Sequence, residues 1–257
     1  INFIGDADKR IKEDYLRILR YLRFYLDYSK QPHNPEIIRT LKINIGGISK
    51  LSKERLFNEL KKIIKVDTIE NLIKDKLSLD LILIIFPELK SIKTFSKLDF
   101  KNKDLLKKQD FIFLLSLAII DDTDNTDYFL YRFNISKKDQ KRIKIIDNFY
   151  KEKINSKTFT ENNMNKVFYY FGKQASCDIL NYRIIKLNKV DQTLIALSQQ
   201  YENKDVPTMP VSAELLMGKY KIPEGKQLGE KLRIIEEQWV KNNFKISDQQ
   251  IDSIINN

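Results

Sequence analysis

Asp14 and Arg17 stand three residues apart in the run Glu13-Asp14-Tyr15-Leu16-Arg17-Ile18-Leu19-Arg20-Tyr21-Leu22-Arg23-Phe24, and on a helix that spacing makes them neighbours on adjacent turns. One side chain is a pure hydrogen-bond acceptor and the other a pure donor fork. Together they complement a base edge that offers an amino group beside an unprotonated ring nitrogen. Cytosine (N4 amino, N3) and adenine (N6 amino, N1) have that edge, whereas uracil and guanine present a carbonyl beside a ring N–H. The pair is expected to accept C and A and to reject U and G. One bidentate base contact is worth about 1–3 kcal/mol, a discrimination of roughly tenfold to more than a hundredfold. The same spacing is also common in ion pairs on solvated helix faces, and spacing alone leaves both readings open.

The element that must carry the pair reads as an amphipathic helix. At about 100° per residue, Ile11, Tyr15, Ile18, Leu19, Leu22 and Leu26 fall on one side and Arg10, Glu13, Asp14, Arg17, Arg20 and Tyr21 on the other. The turn Gln31-Pro32-His33-Asn34-Pro35 ends it, and Asn44-Ile45-Gly46-Gly47 precedes a second charged helix. The remainder of the chain also reads as helical, with no strand alternation and only 7 Gly and 6 Pro in 257 residues. Capping signals at Asp67-x-x-Glu70, Ser136-x-x-Asp139 and Ser247-x-x-Gln250 mark helix starts. Phe86-Pro87-Glu88 closes an apolar segment, and Asn203 to Pro210, with two prolines, reads as a linker.

The run Phe3-Ile4-Gly5-Asp6, Arg10 and Glu13-Asp14-x-x-Arg17-x-x-Arg20-x-x-Arg23-Phe24 resembles the nucleotide-selecting motif of the bacterial CCA-adding enzymes, in the tRNA nucleotidyltransferase and poly(A) polymerase family. Ile48-Ser49-x-x-Ser52-Lys53-Glu54-Arg55-Leu56-Phe57-Asn58-Glu59-Leu60 resembles the next motif of that family, a helix that buttresses the selecting one. Leu215 to Gly218, Pro223-x-Gly225-x-x-Leu228-Gly229, Leu232 and Trp239 through Phe244 resemble its tail. The resemblance implies an all-α fold with an elongated helical neck (1–89), body (90–202) and tail (203–257). It also implies that Asp14 and Arg17 bind CTP and ATP, with Arg20 in a supporting contact and Arg10, Glu13, Glu54, Arg55 and Glu59 as supports. The partner it implies is the acceptor end of tRNA, with CCA addition as the reaction. A poly(A) polymerase of the same family shares these motifs, and a non-catalytic helical RNA-binding protein is the alternative from another class.

The catalytic head of that family precedes the selecting motif and carries Asp-x-Asp ligands for Mg²⁺. Ile1 to Asp6 reads as the last few residues of such a head, so this chain is expected to hold no catalytic residue, to bind no metal, and to be inactive alone. Asp6-x-Asp8 and the cluster Asp121-Asp122-Thr123-Asp124-Asn125-Thr126-Asp127 are the candidate metal ligands by spacing. The first reads as a helix start, where acids favour the dipole, and the second as a solvated interhelical loop.

Lys and Arg total 46 against 35 Asp and Glu, a net charge of +11, which suits a polyanionic partner. Basic faces occur at Lys137, Lys138, Lys141, Arg142 and Lys144, and at Arg183, Lys186 and Lys189. Tyr169, Tyr170, Phe171 and Tyr182 lie nearby, readable as base-stacking groups or as core. Gly218 through Lys226 fails as a phosphate loop, since Gln227 stands where Ser or Thr would bind Mg²⁺. A helix opening near Glu224 or Gly225 would still leave N–H groups beside Lys226 for an RNA phosphate. The single cysteine, Cys177, fits a reducing cytoplasm, and with His33 the only histidine it has no catalytic support. Apolar runs at Leu81 to Phe86 and Phe111 to Ile120 are well short of the ~20 residues that cross a bilayer.

Overall fold

The computed structural model describes residues 1–97, 100–151, 156–187 and 191–256, and among them every regular element is a helix. In chain order these are α1 (Ala7–Glu13), α2 (Leu16–Tyr28), α3 (Pro35–Asn44), a 3₁₀ turn (Ile45–Lys50), α4 (Lys53–Ile63), α5 (Val66–Lys74) and α6 (Lys76–Ile85). After a second 3₁₀ turn (Ile92–Lys97) come α7 (Phe100–Lys107), α8 (Phe111–Ile119), α9 (Asn125–Phe133) and α10 (Lys137–Lys151). A third 3₁₀ turn (Ser156–Phe159) leads to α11 (Glu161–Lys186), α12 (Gln192–Asn203), α13 (Ala213–Tyr220), α14 (Lys226–Lys241) and α15 (Asp248–Asn256).

Side-chain oxygens start most of these helices. Asp6, Asn34, Ser52, Asp75, Asp110, Asp191 and Ser212 each accept a hydrogen bond from a backbone N–H of the first turn, satisfying donors that a helix start leaves orphaned. The signals at Ser136 and Ser247 hold. Ser136 Oγ accepts from Asp139 N at 3.2 Å, and Ser247 and Gln250 cap each other reciprocally, at 3.3 and 2.9 Å. The signal at Asp67 fails: α5 opens at Val66 behind Lys65, which gives no side-chain cap, and Asp67 and Glu70 instead face Lys107 and Lys103.

The chain divides into two compact units, Ile1–Lys151 with Ile185–Val190, and Glu152–Ile184 with Asp191–Asn257. In the first, Ile11, Ile18, Leu19, Leu22, Leu41, Leu60 and Ile63 are fully buried, so α1 to α4 share one core. Phe57, Phe86, Phe129 and Phe133 extend it towards α9 through ring contacts of 4.7 to 6.2 Å. In the second unit, the Tyr201 hydroxyl donates to Asn165 Oδ1 at 2.8 Å in full burial. Trp239 is packed edge-on against Tyr169 and Phe244. Val211, Leu216, Ile222, Leu228, Ile235 and Ile251 form a further core beside it.

Within α11 the helical geometry breaks at Gly172 (φ 84°, ψ 176°), a conformation open to glycine and strained for other residues. Tyr170 and Phe171 end the turn before that break and stay half exposed, at 49% and 52%, whereas Tyr182 is buried and Tyr169 packs on Trp239. Of the four aromatics, two therefore belong to the core and two do not.

Candidate functional site: the joint between α1 and α2

The expected continuous helix from Arg10 to Phe24 is in fact two helices, broken at Asp14 and Tyr15. Asp14 is extended (φ −153°, ψ 103°), and its Oδ1 accepts from Leu16 N at 3.1 Å. A short acidic side chain that bonds the backbone two residues ahead turns the chain and starts a new helix. Asp14 therefore sits at the head of α2, and Arg17 lies in its first turn, linked by Arg17 N to Asp14 O at 3.0 Å. The break also changes the faces: Tyr21, expected on the polar side, is only 4% exposed.

Each member of the pair has its own supports. Arg55, from α4, donates through Nη2 to both Asp14 carboxylate oxygens at 2.9 Å. Arg17 Nη1 donates to Arg10 O and to Glu13 Oε2, both at 2.6 Å, and Arg10 Nη1 reaches the same Glu13 oxygen at 2.6 Å. Arg17 beside Glu13 holds that carboxyl below its ordinary pKa, Arg10 adding to the effect over a smaller opposing burial. Chemically, the joint keeps capacity on both members. A carboxylate has about four acceptor positions and a guanidinium five donors, so Asp14 retains an open lone pair. Arg17 Nε and Nη2 have no protein acceptor among the described residues.

The buttress is α4. Glu59 is 1% exposed and accepts from Arg23 Nε at 2.6 Å and from Lys62 Nζ at 3.1 Å. That pair locks α2 to α4 two turns below the joint. Arg55 thus reaches the joint and Glu59 reaches α2, while Glu54 is exposed. Arg20 is exposed too, with no protein partner among the described residues.

Two features of this neighbourhood carry no role in the sequence reading. Gly47 lies so close under the Tyr15 ring that a Cβ there would stand 2.0 Å from Cε1, so the Gly-Gly turn seats the residue between Asp14 and Leu16. The second is His33, whose ring stacks on Tyr25 at 3.4 Å. His33 Nε2 lies 2.7 Å from Asp75 Oδ2 and 3.1 Å from Ser78 Oγ, and Nδ1 lies 3.2 Å from the Tyr21 hydroxyl. A proton on Nε2 facing the carboxylate leaves Nδ1 to accept from Tyr21. Burial opposes ionisation of Asp75, yet bonds from Ser78 and His33 outweigh it and hold the carboxyl below its usual pKa. Burial also pushes the Tyr21 hydroxyl up to about 12, so it remains a proton donor. A Gly-Gly pair and a lone His between prolines were the available signals, but neither names its distant partner.

Elsewhere, the candidate RNA contacts are dispersed. Lys137, Lys138 and Lys141 are exposed on α10, whereas Arg142 pairs with Asp110 and Lys144 with Asp127. The Arg183 guanidinium lies 5.4 Å from the Phe159 ring, and Lys186 Nζ is 3.5 Å from Thr94 Oγ1. Lys189 lies outside the described residues. Gly225 does cap α14, without a side-chain bond, and the Lys226 side chain is 92% exposed. Cys177 is half buried, and burial pushes its thiol up to about 11. No helix among the described residues is long and apolar enough to cross a membrane.

The helices and the joint define an all-α protein whose best-built polar site is an acceptor–donor pair fixed by a buttressing helix. Residues 104–255 match the family described as "tRNA nucleotidyltransferase domain 2 putative", and residues 34–93 match "Probable RNA and SrmB- binding site of polymerase A". Human mitochondrial CCA tRNA nucleotidyltransferase 1 is 30% identical over 259 residues, covering 99% of this chain and 58% of that protein. The CCA-adding enzyme of Staphylococcus haemolyticus is 28% identical over 181 residues, 70% of this chain and 42% of that one. The crystal structure of the Bacillus stearothermophilus CCA-adding enzyme in complex with CTP shares the fold, with a TM-score of 0.65 at 15% identity over 100% of this chain and 65% of that one. The chain belongs to the tRNA nucleotidyltransferase family, and it spans a little over half the length of the human relative, at 58%.

Proposed function

We propose that this chain is the nucleotide-selecting and RNA-gripping part of a CCA-adding tRNA nucleotidyltransferase. The observation that carries the proposal is the α1–α2 joint, where an acceptor and a donor fork sit one helical turn apart on rigid supports. In this reading Asp14 accepts from the amino group of cytosine or adenine and Arg17 donates to the adjacent ring nitrogen. UTP and GTP are rejected because Asp14 would face a carbonyl and Arg17 an N–H, leaving like groups opposed. Arg55 fixes the Asp14 carboxylate, and Glu13 with Arg10 fixes Arg17, so both are oriented before substrate arrives. Arg20 stands one turn further along α2 as a supporting contact. The exposed lysines of α10, together with Arg142, Arg183 and Lys226, are proposed to hold the tRNA.

Phosphoryl transfer in such enzymes uses Mg²⁺ to activate the 3′-hydroxyl and neutralise the leaving pyrophosphate. The carboxylates described here do not fit that task. Asp6 caps α1, Asp8 is engaged by Lys12 and Asn44, and Asp127 by Lys144 and Lys151. Asp121 binds the Thr123 hydroxyl and faces Lys90. We therefore assign the metal ions to carboxylates outside this chain and derive no step through them. Activity in a reducing cytoplasm belongs to the same proposal.

The test is extension, by the full-length protein, of a tRNA lacking its terminal CCA with each of the four nucleoside triphosphates. Asp14→Ala is expected to raise misincorporation of UTP and GTP relative to CTP and ATP by about tenfold or more, as well as slowing the reaction. Unchanged selectivity would count against the assignment. The match of residues 34–93 to a polymerase A description favours one further reading, a poly(A) polymerase, which would use ATP and refuse CTP in the same assay.

A further inference from the structure

We infer a second RNA site in this chain, a cleft that takes one unpaired nucleotide, with its base stacked on Tyr131 and its phosphate held by Lys53. The cleft lies among the 3₁₀ turn Ile45–Lys50, the start of α4, the end of α6 and Arg132 of α9, and has a volume of about 390 Å³. Ile48, Leu51, Leu56 and Ile85 line it, and Ile84 stands at its lip 62% exposed.

Its charge is one-sided. No acidic residue lines it. Arg132 is paired with an acid, holding Glu88 through Nη1 at 2.9 Å from each oxygen and the Ile85 carbonyl through Nη2 at 3.0 Å. Lys53, also in the lining, has no acidic partner among the described residues, and its Nζ lies over the Tyr131 ring, 5.8 Å from the centroid. That ring is 85% exposed, and Tyr128, one turn back on α9, is 70% exposed. An apolar cleft, an open aromatic face and an unpaired ammonium at its edge match the three parts of a nucleotide: a planar base that stacks, a sugar that fills, and a phosphate that needs a cation. A purely apolar partner would strip water from Lys53 with nothing in return.

The inference rests on the proposed RNA substrate and adds to it a place for a single-stranded segment. It concerns residues distinct from Asp14 and Arg17, although the same 3₁₀ turn supplies Gly47 beneath Tyr15. Because Tyr131 is exposed, its replacement leaves the core intact.

The test is equilibrium binding of the full-length protein to a labelled tRNA with an unpaired 3′ end, and to the same acceptor duplex made blunt. Tyr131→Ala is expected to weaken binding of the first about fivefold to a hundredfold and to leave the blunt duplex within twofold. Tyr131→Phe keeps the stacking face and should bind as the unaltered protein does. Lys53→Gln should weaken binding and lower the slope of log affinity against log salt by about 0.7. Unaltered affinity in both Tyr131→Ala and Lys53→Gln overturns the site, as does an equal loss on the blunt duplex. If the unaltered protein binds neither RNA, the RNA reading falls and the cleft assignment with it. Asp14→Ala, which is expected to change nucleotide choice and not tRNA affinity, separates the two.

Discussion

At the scale of single residues, the selection proposed for Asp14 and Arg17 requires that their neighbours hold them still. Arg55 is half exposed, so its bond to Asp14 contributes little to folding, as exposed ion pairs do. Its value is orientation. Arg55→Ala is expected to shift the unfolding free energy by less than about 1 kcal/mol while lowering discrimination against UTP and GTP, measured by denaturant titration and by the extension assay. Gly47 offers a cleaner contrast. Gly47→Ala drives a methyl into the Tyr15 ring, an overpacking expected to cost about 1–3 kcal/mol. Gly46→Ala, which meets nothing within 4 Å, should stay within about 0.5 kcal/mol. Thermal unfolding of both variants decides it, and equal effects would contradict the seating of Tyr15 on Gly47. Spacing alone left the Asp14 and Arg17 pair open to two readings, and it was the resemblance to the family motifs that singled out these two together with Arg55 and Glu59, which reach Asp14 and Arg23 in the structure. Neither made Gly47 legible as a seat for Tyr15, because that contact joins positions far apart in the chain.

At the scale of elements, the helices were legible and two of their boundaries, at Asp14 and at Asp67, were not. Ser136 and Ser247 cap helices as their spacing requires, because such a signal is local and complete in four residues. The break at Asp14 is different. The apolar period runs through it from Ile11 to Leu26, and the turn is made by a side chain bonding Leu16 N and pinned by Arg55 from another helix. Asp67 misleads for the converse reason: it has the spacing of a cap, but Lys103 and Lys107 draw Glu70 and Asp67 outward. The grip of α4 on α2 is concentrated in Glu59. Glu59→Ala would leave Arg23, with 15% of its side chain exposed, only the more distant Asp27 carboxylate at 4.0 Å, and is expected to cost about 3 kcal/mol. Asp75 caps α6 and receives His33, so Asp75→Ala is expected to cost about 1 kcal/mol at neutral pH. Its folded-state pKa is lowered, so its contribution is present above the unfolded value of about 3.9 and fades as pH falls through the folded value. The stability curves of the unaltered protein and Asp75→Ala should therefore converge below about pH 4. A gap that persists there would show that Asp75 acts without its charge.

At the scale of the whole molecule, the chain divides into two compact units and carries one spectroscopic reporter. Trp239, the single tryptophan, is 2% exposed in the second unit, whereas circular dichroism sees the helices of both. Non-coincident transitions by the two probes are expected on denaturant unfolding, with Glu59→Ala moving the dichroism transition and not the fluorescence one. The sequence indicated helices throughout, and a neck, body and tail divided near 89 and 202 remain our proposal for how they act. The division at Lys151 rests on which helices share a core, which periodicity does not encode. The central claim is that this protein reads a base with Asp14 and Arg17. Its most direct test is equilibrium binding of CTP, ATP, UTP and GTP to the full-length protein and to Asp14→Ala under one buffer. The expected result is a preference for CTP and ATP of about tenfold or more that collapses in the variant. Equal binding of all four by the unaltered protein, or a preference that survives the loss of Asp14, would contradict it.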